Sequence, residues 1–207
     1  MASRRSSRRV AADPVPPLAF VPTRVFFVAG TGVHQLERVA AQRAMRKAGV
    51  ADCNLVKVSS VIPPDCRIIP STDGRRLLQP GNIVHAVIAH AQTNEPHQRI
   101  STAVAWVKPE RAGVPGYIAE LEEDLAKGKS AAVAELTVGE EALEIMAMRL
   151  GAAVDAKRLW QRRGRSRRVR IAGTTVDTGS LCVSVVGPEE QDGESEWAAT
   201  FVAAVYI

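Results

Sequence analysis

From Val21 onward, apolar positions fall into runs that switch between strand and helix periods. Val25-Phe26-Phe27-Val28 is a run of β-formers, and the Ala29-Gly30-Thr31-Gly32 that ends it reads as a tight turn. Leu36, Val39, Ala40 and Ala44 share one helical face and predict a helix from about His34 to Ala48, with Gly49 as its C-terminal cap. Leu55-Val56-Lys57-Val58 reads as a second strand. An irregular stretch containing Ser71-Thr72-Asp73-Gly74 follows Pro63-Pro64. Ile83 to Ala91 and Thr102 to Val107 are longer strand candidates, and Thr93 to Gln98 between them fits a hairpin-like connection. Gly116 to Leu121 suits strand or helix. Thr137 to Leu150 is helical: Thr137-Val138-Gly139-Glu140 fits a capping box, and Leu143, Ile145, Met146 and Leu150 supply an apolar face. Leu181 to Val186 and Phe201 to Tyr206 are closing strands, with an acidic, exposed loop from Gly187 to Glu196 between them. The sum is a layered α/β sandwich in which strands outnumber helices.

Composition sets the frame for this pattern. The chain has 207 residues, 46% of them apolar, which suits one compact domain with a tail. Residues 1–20 are the tail: Arg, Ser and Pro dominate, and little apolar surface is available to offset ordering entropy. Residues 21–207 form the domain. The net charge of +5 first suggests nucleic acid. Its distribution argues otherwise, because residues 1–9 and 157–170 hold 12 of the 27 cations and no acid. The other 15 cations face 22 acids, so the body of the chain is acidic. Three cysteines without a C-x-x-C pattern indicate neither a disulfide framework nor zinc. No apolar run is long enough for a membrane span, and Asp13, Pro14, Pro16 and Pro17 interrupt any signal-like core. A cytoplasmic protein is the expectation.

Candidate chemistry narrows quickly. Gly30-Thr31-Gly32 lies where a phosphate loop would, but position 35 is Gln and no Gly-Lys-Ser/Thr occurs. His34, His85, His90 and His97 lack metal-ligand spacing, so no metal site is expected. Trp160 among the arginines of 157–170 leaves open a grip on nucleic-acid phosphates, against the plainer reading of a solvated basic face. The segment Asn54-Leu55-Val56-Lys57-Val58-Ser59-Ser60-Val61-Ile62-Pro63-Pro64 has two readings as well. One is a strand end with turn-forming serines. The other is self-processing: a serine hydroxyl at a strained strand end attacks the preceding carbonyl, and elimination of the ester cuts the chain and leaves dehydroalanine, which hydrolyses to a pyruvoyl group.

This segment resembles the processing site of the pyruvoyl-dependent arginine decarboxylases: a short strand, Ser-Ser, an apolar pair and Pro-Pro. Phe27-Val28-Ala29-Gly30-Thr31-Gly32 is similar to that family's first strand and turn, Asn94-Glu95-Pro96-His97-Gln98-Arg99-Ile100-Ser101 to its middle loop, and Gly116-Tyr117-Ile118-Ala119-Glu120 to its acid-bearing segment. The likeness runs along almost all of residues 21–207.

The resemblance implies a four-layer αββα sandwich cut between Ser59 and Ser60. Ser60 becomes the covalent pyruvoyl cofactor, and Ser59 ends the smaller chain. Asn54 matches an asparagine whose amide can hold the oxyanion of the acyl shift. Glu120 matches the catalytic glutamate, which protonates the substrate carbon after the amine has joined the keto group as a Schiff base and CO2 has left. Arginine would yield agmatine, a precursor of polyamines, at sites between the protomers of a trimer or hexamer. The chain departs from the pattern at Gln42, seven positions before Gly49, where the family generally has an acid suited to the guanidinium. Another acid such as Glu37 compensates, arginine binds weakly, or the substrate is another amino acid. Arginine with reduced affinity fits the breadth of the match.

Overall fold

A computed structural model describes residues 20–162, 167–189 and 195–207. The tail of residues 1–19 and the centres of the basic stretch and acidic loop lie outside them. In chain order the elements are β1 (Arg24–His34), α1 (Glu37–Ala48), β2 (Asn54–Lys57), β3 (Val61–Ile62), β4 (Arg67–Ile68), α2 (Ser71–Arg76), β5 (Ile83–Thr93), β6 (Arg99–Pro109), β7 (Gly116–Leu121), a 3-10 turn (Glu123–Ala126), α3 (Ala131–Arg149), α4 (Ala156–Arg162), β8 (Arg168–Ile171), β9 (Thr174–Val186) and β10 (Trp197–Tyr206). They build two five-stranded sheets, ordered β2-β5-β10-β1-β4 and β3-β7-β6-β9-β8.

Alternation along the strands sends side chains into separate cores. Val25, Val87, Ala89, Val104, Ile118, Val202 and Ala204 pack between the sheets. Phe26, Val28, Ala86, Ala203 and Val205 face outward onto Ala40, Ala44 and Ala48 of α1. On the other side Ala103, Ala105, Ala119 and Leu121 meet Val138, Leu143 and Met146 of α3. The result is the αββα sandwich, with one apolar layer in each of three interfaces.

Several local expectations are corrected. The glycines after Val28 make no turn, because β1 continues through them to His34 and pairs with β10 from Val25–Tyr206 to His34–Trp197. They are small because α1 lies on them: a Cβ at Gly30 would stand 2.1 Å from the Ala44 carbonyl oxygen, and one at Gly32 would stand 2.2 Å from that of Ala40. A phosphate loop is excluded for the same reason. Helix α1 itself ends as expected at Gly49, in the left-handed region at φ 82°. The Ser71–Gly74 stretch is not irregular but opens α2, whose Gly74 sits against the Phe26 ring. Helix α3 starts six residues before the expected capping box, at Ala131, with the Ser130 hydroxyl accepting from the Val133 N–H. Thr137 is inside the helix and donates to the Val133 carbonyl at 2.9 Å. Residues 116–121 are strand β7. Finally, β5 and β6 are no hairpin: they belong to different sheets, and the loop between them crosses the sandwich.

Candidate active site

A second link crosses from the first sheet to the second, and it holds the two serines. Beyond β2 the Val58 N–H still donates to the Ala86 carbonyl of β5, at 3.0 Å. The chain then passes Ser59 and Ser60 and joins the other sheet as β3. The crossing closes over three residues, with the Val61 N–H donating to the Ser59 carbonyl at 2.9 Å. Neither serine has a positive φ, so the strand end carries no left-handed strain. Hydrogen bonds instead pin the flanking backbone. The Ile118 N–H donates to the Ser60 carbonyl, and the Tyr206 hydroxyl donates to the Val61 carbonyl, each at 3.0 Å.

The Ser60 hydroxyl donates to the Glu120 carboxylate, 3.1 Å from Oε1 and 3.0 Å from Oε2. Burial pushes the Glu120 pKa above the ordinary carboxylate range. The Ser60 hydrogen bond pulls it back, Glu122 pushes it up, Lys57 pulls it down, and Glu141 adds a smaller upward push. Lys57 is itself held by Glu122, with Nζ 2.5 Å from Oε1. A carboxyl so placed can take a proton from the serine oxygen or, when neutral, return one to an atom that replaces it. Beside Ser59 a groove of 370 Å³ is lined by Val58, Val61, Pro63, His85 and Tyr206 together with Phe20, a size within the range of small-molecule sites.

The fold thus gathers Ser59, Ser60 and Glu120 from positions 60 residues apart. It does not gather Asn54 and Gln42 with them in one chain. Asn54 opens β2, about 16 Å of extended chain from Ser59, and its exposed amide donates to the Gly81 carbonyl at 3.1 Å. Gln42 is exposed on α1, in the outer layer over the first sheet. Sequence reasoning missed Tyr117 and the Ile118 N–H. Tyr117 and Glu120 are three apart on a strand and so point to opposite faces; Tyr117 stands opposite Val61, where the short edge strand β3 begins, and Glu120 accepts from Ser60 just before it. It also missed His90, Glu122 and Glu123, whose ligand atoms lie within 4.8 Å of one another. His90 lies on β5, whereas Glu122 and Glu123 follow β7 more than 30 residues later, so no local spacing reveals the group.

The basic stretch looks different in three dimensions. Trp160 is 5% exposed and lies against Gly139, where a Cβ would stand 2.0 Å from the ring. It is a core residue and offers no face to a base. Arg168 pairs with Glu110 at 3.0 Å, and Val169 and Ile171, which alternate with the β8 arginines, turn inward. No described helix is long and apolar enough to cross a membrane.

Comparison with known proteins points to one family. The family model for pyruvoyl-dependent arginine decarboxylase matches residues 24–207. A pyruvoyl-dependent arginine decarboxylase 2 from Methanosarcina mazei is 32% identical over 191 residues, covering 90% of this chain and 97% of the relative. A pyruvoyl-dependent arginine decarboxylase from Methanococcoides burtonii is 34% identical over 187 residues, 90% of this chain and 99% of the relative. One from Nitrosopumilus maritimus is 29% identical over 190 residues, with coverage of 92% and 99%.

Proposed function

The chain belongs to the pyruvoyl-dependent arginine decarboxylase family, and we propose that it releases CO2 from L-arginine to give agmatine after cutting itself between Ser59 and Ser60. The observation that carries this reading is the Ser60 hydroxyl on the half-buried Glu120 carboxylate, at the crossing between sheets. The surroundings fit a group made from residue 60: its carbonyl is already held by a backbone N–H, and a groove opens beside Ser59. A pyruvoyl group at residue 60 would supply a keto carbon for the substrate amine and a sink for the electron pair that CO2 leaves behind.

The protein's own residues do the rest. In the precursor, Glu120 accepts the Ser60 hydroxyl hydrogen bond and orients Oγ toward the Ser59 carbonyl. In the mature enzyme, Glu120 delivers a proton to the substrate's α-carbon, and burial helps by keeping the carboxyl neutral at higher pH. The Ile118 N–H is aimed at the residue-60 carbonyl, where negative charge spreads.

The small chain contributes β1 and β2 and the large chain β5 and β10 to the same sheet, so residues 21–207 stay one domain after the cut. Asn54 and Gln42 act from a neighbouring protomer of a trimer or hexamer, the first on the oxyanion and the second on the substrate's guanidinium. Their exposure and their distance along the chain from Ser60 support this. Cys53, Cys66 and Cys182 are free thiols, which supports a cytoplasmic location.

Intact mass of the purified protein tests the cut. Chains 1–59 and 60–207 are expected, the second with a blocked N-terminus; a single uncut chain that still releases CO2 would overturn the mechanism. A panel of L-amino acids tests the substrate. Gln42→Glu should lower KM for arginine, since a hydrogen bond to a charged partner is worth about 1.5–3 kcal/mol. Turnover of another amino acid with arginine ignored would keep the cofactor and remove the substrate.

A further inference from the structure

Residue 60 has a second polar neighbour with no part in the scheme above. Tyr117 stands directly opposite Val61 in the β3–β7 pair, and its phenol lies close enough to the Ser60 hydroxyl to interact with it. Ser60 spends its own proton on Glu120, so the phenol proton is not needed to satisfy the resting serine. The ring is fixed from the other side. The Arg149 guanidinium lies over it, 5.0 Å from the centroid, and that same guanidinium donates to the Gly116 carbonyl at 3.2 Å. A fixed aromatic ring therefore stands at the residue next to the serine on which processing turns, with its phenol within the influence of the Ser60 hydroxyl.

We propose that Tyr117 serves the processing reaction by donating its hydroxyl hydrogen bond to Oγ of residue 60 as that oxygen leaves with Ser59. The inference rests on the self-cleavage reading. In the acyl shift, Oγ bonds to the Ser59 carbonyl carbon and the Ser59–Ser60 C–N bond breaks. The Oγ proton ends on the freed residue-60 nitrogen, and an ester results. In the elimination, water takes the residue-60 Cα proton. The C–H electron pair forms the Cα=Cβ bond, and the Cβ–Oγ bond breaks with its pair on oxygen. Oγ departs as part of the new Ser59 carboxylate.

The two steps make different demands. Oγ needs an acceptor while it carries a proton, and Glu120 supplies one. It needs a donor once it is an ester oxygen gaining charge, and an ionised Glu120 would repel that charge. Tyr117 is suited to donate. Burial, Glu141 and Glu120 raise its pKa, against smaller downward pulls from Arg149 and Ser60, so the phenol keeps its proton at neutral pH.

Neutral hydroxylamine cleaves esters and so separates the two steps. In Tyr117→Phe the ring remains under Arg149 and the fold should persist, while cleavage should slow by about 10²–10³-fold, the scale of one lost donor at a developing oxyanion. The slowed precursor should accumulate as ester, so that hydroxylamine cuts it between residues 59 and 60 and leaves an ordinary serine at the new N-terminus. Tyr117→Leu, which removes the ring as well, should accumulate the same ester, because the defect follows the hydroxyl. Processing of Tyr117→Phe at the wild-type rate would overturn the proposal. So would a slow precursor in both variants that resists hydroxylamine. A wild-type chain that never cleaves would instead remove the self-processing reading beneath it.

Discussion

Two short links carry the chain from the first sheet to the second, and they differ in what they do with their polar groups. The link from β5 to β6, residues 94–98, closes on itself. Thr93 Oγ1 donates to Gln98 Oε1 at 2.5 Å, the Glu95 N–H donates to Thr93 Oγ1 at 3.1 Å, and Gln98 Nε2 donates to the Glu95 carboxylate. Its backbone is further tied to Gly187, through His97 N–H at 3.0 Å and the Gln98 carbonyl at 2.8 Å. The link from β2 to β3 keeps almost nothing for itself. Its one internal bond is backbone to backbone, and the Ser60 hydroxyl is directed outward to Glu120. Positive-φ strain is found in the quiet link, at His97 with φ 61°, and not at the serines. On the proposed function, reactivity follows from where a hydroxyl is aimed and what carboxyl it meets, rather than from a left-handed backbone.

The largest effect should come from removing the aimed hydroxyl. Ser60→Ala should leave the chain whole on a denaturing gel and without decarboxylase activity, with its melting temperature close to that of wild type. A cleaved and active Ser60→Ala protein would break the comparison at once. Glu120→Gln comes next. Its carbonyl oxygen can still accept from Ser60, so cleavage should continue. Loss of the proton donor should lower kcat by roughly 10²–10⁴-fold in the mature protein. Full activity of the glutamine variant would dismiss the assigned role.

The pH dependence of Glu120 gives a smaller, signed effect. Its folded-state pKa lies above the ordinary value, so burial favours the protonated form. Stability from this group is present below the unfolded pKa of about 4.3 and is lost as pH rises through the raised folded pKa. Decarboxylation should fall over the same upper range as the acid loses its proton. Cleaved Glu120→Gln protein should accordingly melt higher than wild type at pH 7, and this advantage should vanish near pH 4. An advantage that grows toward low pH would show the sign to be wrong.

The quiet link provides a control. Gln98→Ala removes two side-chain hydrogen bonds from residues 94–98 and should cost about 1–2 kcal/mol, read as a lower melting temperature, with the cut at 59/60 unchanged. A processing defect in this variant would mean that the two links are coupled.

The contrast also explains what the sequence could show. Strand alternation marks Ile83–Ala91 and Thr102–Val107 as strands, but alternation says nothing about partners. The short polar loop between them therefore read as a hairpin, when each strand pairs within its own sheet. Gly30 and Gly32 read as a turn because local rules treat glycine as punctuation, whereas here the α1 backbone at Ala40 and Ala44 presses against them. Ser60 and Glu120 were legible only through the order of four segments resembling one family. Nothing local in either residue signals the pairing, which exists because the edge strand β3 pairs with β7 and so brings residue 60 against it. The Tyr117 phenol was illegible for the same reason. Gly139 looked like part of a capping box, and its function is to let the Trp160 ring lie flat on α3.

The smallest predicted effect tests where strain resides. His97 holds a left-handed backbone at φ 61°, a region that costs a non-glycine residue roughly 1–2 kcal/mol. Its N–H is committed to the Gly187 carbonyl, and the side chain is exposed, so a glycine would lose no packing. Glycine brings its own penalty of about 0.5–1 kcal/mol from the greater freedom of the unfolded chain. The balance favours His97→Gly by about 0–1.5 kcal/mol, a rise in melting temperature of at most a few degrees for a chain of this size. Processing should proceed at the wild-type rate, because the relieved strain belongs to the link that does no chemistry. If His97→Gly instead slows the cut at Ser59–Ser60, strain at the second crossing is transmitted to the first. Reactivity would then depend on a distorted backbone after all, at one remove from the serine.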